Sequence, residues 1–214
     1  LRDGKTATIS VYQTGNVSTI STNGKPDASL SPASAPPSPD EITMVMLGAL
    51  PLAMHPDPKD IAIIGWGSGL TTHTILGSSA PRSVETIEIE DAMVQGARLF
   101  GERVERAYRG PRSHLRIDDA RTYFSTGARR YDVIISEPSN PWVSGGASLF
   151  TKEFYSFLKS HLHEDGVLVQ WVHMYEIDDA LLATMMSALA SEFRHADLFI
   201  ANSVDLLIVA RKAP

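Results

Sequence analysis

A short apolar strand runs directly into three alternating glycines, Gly65, Gly67 and Gly69, and a helix-like segment follows from Leu70. Because glycine carries no Cβ, backbone amides and the N-terminus of the next helix can approach a polar ligand closely. About two dozen residues later, Glu88 ends the next apolar strand, where a carboxylate can accept hydrogen bonds from ribose hydroxyls. This arrangement predicts a strand-loop-helix unit that binds a nucleotide-like cofactor.

The spacing of the glycines narrows the choice of cofactor. A dinucleotide site requires G-x-G-x-x-G or G-x-G-x-x-A, whose last small residue lets the helix pack closely on the strand. Here the spacing is G-x-G-x-G, and Leu70 stands where that small residue belongs. With no pyrophosphate to hold, the loop fits S-adenosylmethionine and its relatives better than NAD. The predicted cofactor loop consists of Gly65, Gly67, Ser68 and Gly69.

From residue 40 onward, apolar strands alternate with helices. The predicted strands are 61–65, 84–89, 114–117, 131–136, 167–172, 198–201 and 206–210, and the predicted helices are 42–54, 70–77, 92–108, 120–126, 151–161 and 180–193. Near-continuous apolar strands separated by helices indicate a parallel sheet covered on both faces. The last two strands flank Asn202-Ser203 and predict a terminal hairpin with one antiparallel strand. This is the chain order of the class I methyltransferase-type Rossmann fold, an α/β fold.

The first 39 residues follow a different pattern. Residues 1–25 alternate around Gly15-Asn16 and predict a small N-terminal β-hairpin appendage. Residues 26–39 contain five of the 13 prolines among Ser and Ala, which predicts a loop. Residues 40–214 are the predicted cofactor-binding domain, and its first helix has Asp40 as the expected cap.

Composition excludes several classes of function. The 214 residues include no cysteine, which excludes disulfides, zinc-thiolate sites and a thiol nucleophile, and we predict no metal site. The net charge of -6 argues against a nucleic-acid binder and suits a cationic substrate. No apolar run reaches the ~18 residues of a membrane span, and the chain lacks a signal-peptide pattern. We therefore expect a cytoplasmic segment without membrane contact, and a start at Leu1 in place of Met suggests a piece of a longer protein.

Acidic residues follow the second and third predicted strands. Glu88 is the predicted ribose ligand, whereas Glu90 is expected mainly to cap the next helix. After the third strand comes Asp118-Asp119-Ala120, where a carboxylate can accept from the exocyclic amino group of adenine. We assign Asp119 to adenine and a structural role to Asp118; the alternative is that both carboxylates only cap a helix.

The segment after the fourth strand carries the predicted chemistry. Its strand delivers Glu137 to the carboxyl edge of the sheet, where doubly wound folds bind ligands. Pro138 and Pro141 stiffen the loop that also holds Asn140. A carboxylate at this edge could stabilise a sulfonium, bind a substrate ammonium or remove its proton, while a solvent-exposed turn is the alternative. Past the fifth strand, we expect His173 to make an ordinary polar contact or to line the pocket.

Taken in order, these segments resemble the polyamine aminopropyltransferases, the spermidine and spermine synthases. The resemblance rests on Gly65-Trp-Gly-Ser-Gly69, Glu88-Ile-Glu90, Asp118-Asp119-Ala120, Tyr131 to Pro141, and Ser148-Leu-Phe-Thr-Lys-Glu-Phe-Tyr155. It covers residues 40–172, and the predicted hairpin fits the small β domain of the family. The resemblance implies a homodimer that uses decarboxylated S-adenosylmethionine, or S-adenosylmethionine itself, and a small-molecule amine acceptor.

The chain departs from the family pattern at positions where the family contacts its amine substrates. The glycine loop of the family carries an Asp where this chain has Ser68, and the D-S-S-D-P segment of the family reads Glu137-Pro-Ser-Asn-Pro141 here. The resemblance implies that Glu137 orients and deprotonates the amine and that Asn140 contacts it. One alternative is a methyltransferase on the same scaffold, because Ser68 does not repel the carboxylate of S-adenosylmethionine as Asp would. The other alternative is a non-catalytic module that binds a nucleoside.

Overall fold

Two sheets organise the computed structural model, which describes residues 1–138, 146–175 and 177–213. The N-terminal sheet contains β1 (Arg2–Asp3), β2 (Thr8–Thr14), β3 (Val17–Thr22) and β4 (Lys25–Leu30). The larger sheet contains β5 (Asp60–Ile64), β6 (Ser83–Glu88), β7 (Ser113–Ile117), β8 (Tyr131–Ser136), β9 (Leu162–His173), β10 (His195–Asn202) and β11 (Asp205–Arg211). The α-helices are α1 (Pro39–Met54), α2 (Leu70–Ile75), α3 (Asp91–Ala97), α4 (Glu105–Arg109), α5 (Ala120–Ser125), α6 (Lys152–Ser160) and α7 (Asp179–Glu192).

The larger sheet has the predicted α/β topology. Its strand order is β10-β11-β9-β8-β5-β6-β7, with β5 to β9 parallel and β11 antiparallel to both of its neighbours. All five residues of β5 are buried, as expected for a central strand covered on both faces. The methyltransferase-type fold and its terminal hairpin are therefore confirmed. Because parallel strands end at one edge, the loops after β5, β6 and β8 lie side by side.

The N-terminal sheet is larger than the predicted hairpin. The hairpin forms as β2 and β3, but β1 and β4 extend it to four antiparallel strands. Strand β4 also occupies the first residues of the predicted 26–39 loop, which corrects that boundary. Pro26 is tolerated there because β4 pairs only with β3, so one side of the strand needs no backbone donor.

Helix α1 begins earlier than predicted and has a different cap. The Ser38 hydroxyl accepts from the Glu41 backbone N–H at 3.3 Å, and the Glu41 carboxylate accepts from the Ser38 N–H at 2.6 Å. This reciprocal pair is a capping box, and Pro39 fills the first turn, where no donor is lost. Asp40 is therefore not the cap; it lies in the first turn with its side chain on a cavity wall.

The predicted helix 92–108 is broken into three shorter pieces. Helix α3 is followed by a 3₁₀ helix, Arg98–Val104, and then by α4. Gly101 has a φ of 60°, which lies in the left-handed region and interrupts the helical path. None of the helices in the described ranges has the length and apolar character that a membrane span requires.

One buried carboxylate fastens the N-terminal sheet to the larger domain. The Glu90 side chain accepts from the Thr6 N–H at 2.7 Å, from the Thr6 hydroxyl at 2.8 Å and from the Ala7 N–H at 3.3 Å. It also accepts from the Ala92 N–H at 3.0 Å, which gives it the predicted capping role. The sheet is thus packed against α3 and contributes a wall to the cavity described next.

Candidate active site

A cavity of about 1050 Å³ opens at the carboxyl edge of the larger sheet. Its floor is formed by residues that follow β5, β6 and β8, where ligands bind in doubly wound folds. Residues 22–27 of the N-terminal sheet and the first turns of α1 form further walls. The cavity therefore brings the predicted cofactor loop and the Glu137 segment into one site.

The three glycines of the loop have backbone conformations that residues with a Cβ rarely adopt. Gly65, Gly67 and Gly69 have φ values of 99°, 51° and 84°, all in the left-handed region. A Cβ at Gly65 would lie 2.3 Å from the Glu137 carbonyl oxygen, so the loop presses directly on that segment. Gly65 and Gly67 line the cavity, whereas Gly69 is the N-cap of α2 and packs against Trp66.

Ser68 is not among the residues that line the cavity, and its predicted contact with the cofactor stays a prediction. The residue is fully buried, and its hydroxyl donates to Met44 Sδ at 3.0 Å and accepts from the Leu70 N–H at 3.2 Å. The turn that starts α2 directs this side chain toward α1. Ser68 therefore braces the loop against a helix, and the sequence position alone did not reveal that direction.

Glu88 lies at the cavity edge where the sequence places it. Its two carboxylate oxygens accept from the Trp66 and Glu90 backbone N–H groups, each at 2.8 Å. Burial raises the pKa of Glu88 to about 7, although the two backbone hydrogen bonds act in the opposite direction. Since a carboxylate oxygen has two lone pairs, the side chain retains acceptor capacity for ribose hydroxyls, and the ribose contact stays a prediction.

The Asp118-Asp119-Ala120 segment lines the same cavity. Asp119 is the N-cap of α5 and accepts from the Thr122 N–H at 2.9 Å. Asp118 accepts from the Asp119 N–H at 2.8 Å. The capping role therefore belongs to Asp119 and not to Asp118, because Asp119 directly precedes the first turn. The adenine contact stays a prediction for this pair.

Glu137 enters the cavity from the end of β8. Its backbone N–H donates to the Ile64 carbonyl at 2.9 Å, and its Oε1 lies 3.7 Å from the position of a Cβ on Gly67. The other oxygen, Oε2, is buried and accepts no hydrogen bond from the described residues. Burial raises the pKa of Glu137 to about 8; the Thr71 hydroxyl lowers it in part, and the Glu88 carboxylate adds to the rise. The predicted substrate ligand Asn140 lies outside the described residues.

The cavity is strongly acidic over the part of the chain that the structure describes. Eight carboxylates line it: Asp27, Asp40, Glu88, Glu90, Asp118, Asp119, Glu137 and Asp205. Its described basic residues are Lys25 and His173. Asp27, Asp40 and Asp205 were not predicted as site residues, because β4, α1 and β11 contribute them separately and no local motif marks them. A surface with this charge attracts and holds cationic ligands.

A separate group of potential metal ligands lies away from the cavity. His55, Asp132 and Asp165 place ligand atoms within 4.8 Å of one another. The Nδ1 atom of His55 accepts from the Asp57 N–H at 3.2 Å, which puts the ring proton of a neutral imidazole on Nε2. His55 Nε2 lies 3.7 Å from Asp165 Oδ2, and Asp132 accepts from the Lys59 N–H. Asp132 is thus engaged by the backbone, His55 Nε2 has no hydrogen-bond partner among the described residues, and we derive no metal site from this group.

Comparison with known proteins identifies relatives of the whole arrangement. Residues 41–203 match the family model described as the spermine/spermidine synthase domain. A polyamine aminopropyltransferase of Thermotoga petrophila is 31% identical over 122 residues, and the match covers 57% of this chain and 41% of that relative. The chain thus spans less than half of the length of this curated relative.

Solved structures support the fold assignment. A spermidine synthase in complex with the transition-state analogue AdoDATO aligns with a TM-score of 0.84 at 21% identity, covering 97% of this chain and 71% of that one. Human methyltransferase-like protein 13 in complex with SAH aligns with a TM-score of 0.60 at 18% identity, covering 81% of each chain. Both structural alignments support the α/β fold described above.

Proposed function

We propose, since the chain belongs to the spermine/spermidine synthase family, that it transfers an aminopropyl group from decarboxylated S-adenosylmethionine to an amine acceptor. The observation that carries this proposal is the acidic cavity in which Glu137 lies against the glycine loop. The co-substrate carries a sulfonium and an ammonium, and the acceptor is also a cation at neutral pH. Carboxylates offset the desolvation of such charges when they are taken into a cavity.

Each residue then has a defined part in the reaction. Glu88 and the Asp118-Asp119 pair hold the nucleoside. Because Gly65 lacks a Cβ, the glycine loop lies close to Glu137, which brings the sulfonium of the bound co-substrate near that carboxylate. An amine with a pKa of about 10 is protonated at neutral pH and cannot attack. Glu137 orients it and takes one proton, the freed nitrogen bonds to the carbon next to sulfur, and the carbon–sulfur bond breaks. The sulfur leaves with the electron pair of that bond as the neutral thioether of methylthioadenosine.

The charge of the cavity favours the decarboxylated co-substrate over S-adenosylmethionine. The latter carries an additional carboxylate, which would be placed among the carboxylates of the cavity. We therefore expect calorimetry to give a dissociation constant at least about tenfold lower for the decarboxylated form, equivalent to 1.4 kcal/mol. Equal affinities, or tighter binding of S-adenosylmethionine, would instead favour a methyltransferase.

Binding of the co-substrate is expected to release protons. The pKa of Glu137 is about 8 and that of Glu88 about 7, so both carboxyls are at least partly protonated at pH 7. A sulfonium nearby stabilises the carboxylate form and lowers both pKa values. Calorimetry at pH 7 in buffers of different ionisation enthalpy should show net proton release, which decreases as the pH rises above 8. A binding enthalpy that is independent of the buffer at pH 7 would contradict this expectation.

On the same family membership we propose a homodimer that acts in the cytoplasm on small-molecule amines. The net charge of -6 supports small cationic partners over nucleic acid. Sedimentation of the purified chain tests the oligomeric state independently of the reaction.

A further inference from the structure

At the wall of the cavity formed by β9 and β11, one histidine is held in a fixed orientation. His173 and Asp205 are direct partners in the antiparallel pairing of these strands. The Nδ1 atom of His173 lies 2.8 Å from Asp205 Oδ1, and a carboxylate can only accept, so Nδ1 carries the proton of this hydrogen bond. A neutral ring then has its lone pair on Nε2. His173 lines the cavity, and with Nδ1 bonded to Asp205, Nε2 is the ring nitrogen left for a ligand.

The acceptor capacity of Asp205 is taken up by the protein. Besides His173, it accepts from the Thr43 hydroxyl at 2.6 Å, from Asn202 Nδ2 at 2.6 Å and from Trp171 Nε1 at 3.0 Å. Burial alone would raise the pKa of Asp205, but these hydrogen bonds outweigh it and hold the pKa below its ordinary value. Asp205 is therefore a positioning residue, and His173 is the group that a ligand meets.

The surrounding wall restricts what can approach His173. Asp40 lines it from α1, so a carboxylate-bearing ligand end would meet a like charge. Met44 and Leu47, both buried, lie behind the same cavity wall and make it apolar on that side, which suits a methylene chain. The lone pair of Nε2 accepts only from a hydrogen-bond donor. These features together suit an aliphatic chain whose far end carries an N–H group.

We infer that His173, positioned by Asp205, recognises the second nitrogen of a diamine acceptor and so determines the preference for diamines over monoamines. This inference rests on the proposed function for the identity of the ligand as an amine acceptor. It assigns the two ends of the acceptor to different groups, with Glu137 at the reacting nitrogen and His173 at the other.

The test is binding calorimetry on the full chain in the presence of excess methylthioadenosine, with 1,4-diaminobutane and 1-aminobutane as probes. The wild-type protein should bind the diamine more tightly than the monoamine. His173→Ala should weaken diamine binding about tenfold, as expected for the loss of a hydrogen bond to a charged group, and should leave monoamine binding unchanged. Methylthioadenosine affinity, measured separately, shows that each variant is folded.

Two further substitutions separate recognition from a structural role. His173→Gln can place its side-chain oxygen near the position of Nε2, so it should retain part of the diamine preference. His173→Asn is shorter and reaches only the position of Nδ1, so it should lose the preference. Asp205→Asn should weaken the preference because the ring loses its aligning carboxylate. His163→Ala, on the same strand but not in the cavity lining, is the matched control and should change nothing.

Equal wild-type affinity for the two amines, or an unchanged preference in His173→Ala, would overturn the inference. Equal losses for both amines would overturn it as well, since they would indicate a general disturbance of the cavity. A diamine preference that depends on His173 without any aminopropyl transfer would refute the proposed function and leave the inference standing. Aminopropyl transfer together with an unchanged diamine preference in His173→Ala would overturn the inference and leave the proposed function standing.

Discussion

Glu137→Gln is expected to lower the kcat of aminopropyl transfer by about 10²- to 10⁴-fold, the usual contribution of a positioned general base. The amide has nearly the same shape as the carboxyl group but cannot take a proton from the acceptor ammonium. The buried oxygen Oε2 has no partner among the described residues, and the amide oxygen of Gln can still accept from the Thr71 hydroxyl. The loss should therefore be in turnover and not in folding.

Two measurements make this expectation specific. The affinity for methylthioadenosine, which is neutral at sulfur, should be unchanged in Glu137→Gln. Glu153→Gln, an exposed position on α6, should retain wild-type kcat. If Glu137→Gln also retained wild-type kcat, the proton would have to be taken by another group and the assigned role of Glu137 would be wrong.

Gly65→Ala is expected to reduce the free energy of unfolding by about 3–5 kcal/mol, the range of severe single substitutions. One cause is the backbone, because a φ of 99° is strained for any residue with a Cβ. The other is a collision, since the new Cβ would lie 2.3 Å from the Glu137 carbonyl oxygen. Relief of the collision must displace Glu137, so nucleoside binding and transfer should be lost together.

Gly15→Ala is the matched control for this substitution. Gly15 also has a positive φ, 59°, but a Cβ there would meet nothing within 4 Å. Its loss in stability, measured by chemical denaturation, should be about 1–2 kcal/mol, the cost of the left-handed conformation alone. Equal losses at the two positions would show that the close approach of the glycine loop to Glu137 is not a packing constraint.

The sequence predicted the larger sheet well because its central strands are continuous apolar runs. Residues 61–64 and 133–136 are bounded by polar or glycine residues and are buried as expected. Strand β4 was missed because Lys25–Leu30 contains a proline and an aspartate and depends on pairing with β3. The break at Gly101 was missed because an isolated glycine in a helical pattern does not show whether the helix continues.

The position of a residue at the cavity could be predicted where that residue is local to a motif. Gly65 and Glu137 directly follow β5 and β8, and Glu88 ends β6, so strand order alone brings them to one edge of the sheet. Asp205 could not be predicted because it reaches the cavity only through the pairing of β11 with β9. The contact of the Ser68 side chain with Met44 could not be predicted, because sequence gives the position of a side chain but not the direction in which a tight turn points it.

The most direct test of the proposed function is mass spectrometry of an amine acceptor after incubation with the protein and decarboxylated S-adenosylmethionine. We predict an acceptor heavier by one aminopropyl group and an equal amount of methylthioadenosine, with both products formed about 10²- to 10⁴-fold more slowly by Glu137→Gln. Methylation of the acceptor with S-adenosylmethionine as co-substrate would identify a methyltransferase instead. Tight nucleoside binding without any modified acceptor would contradict an aminopropyl-transfer function and indicate a binding module.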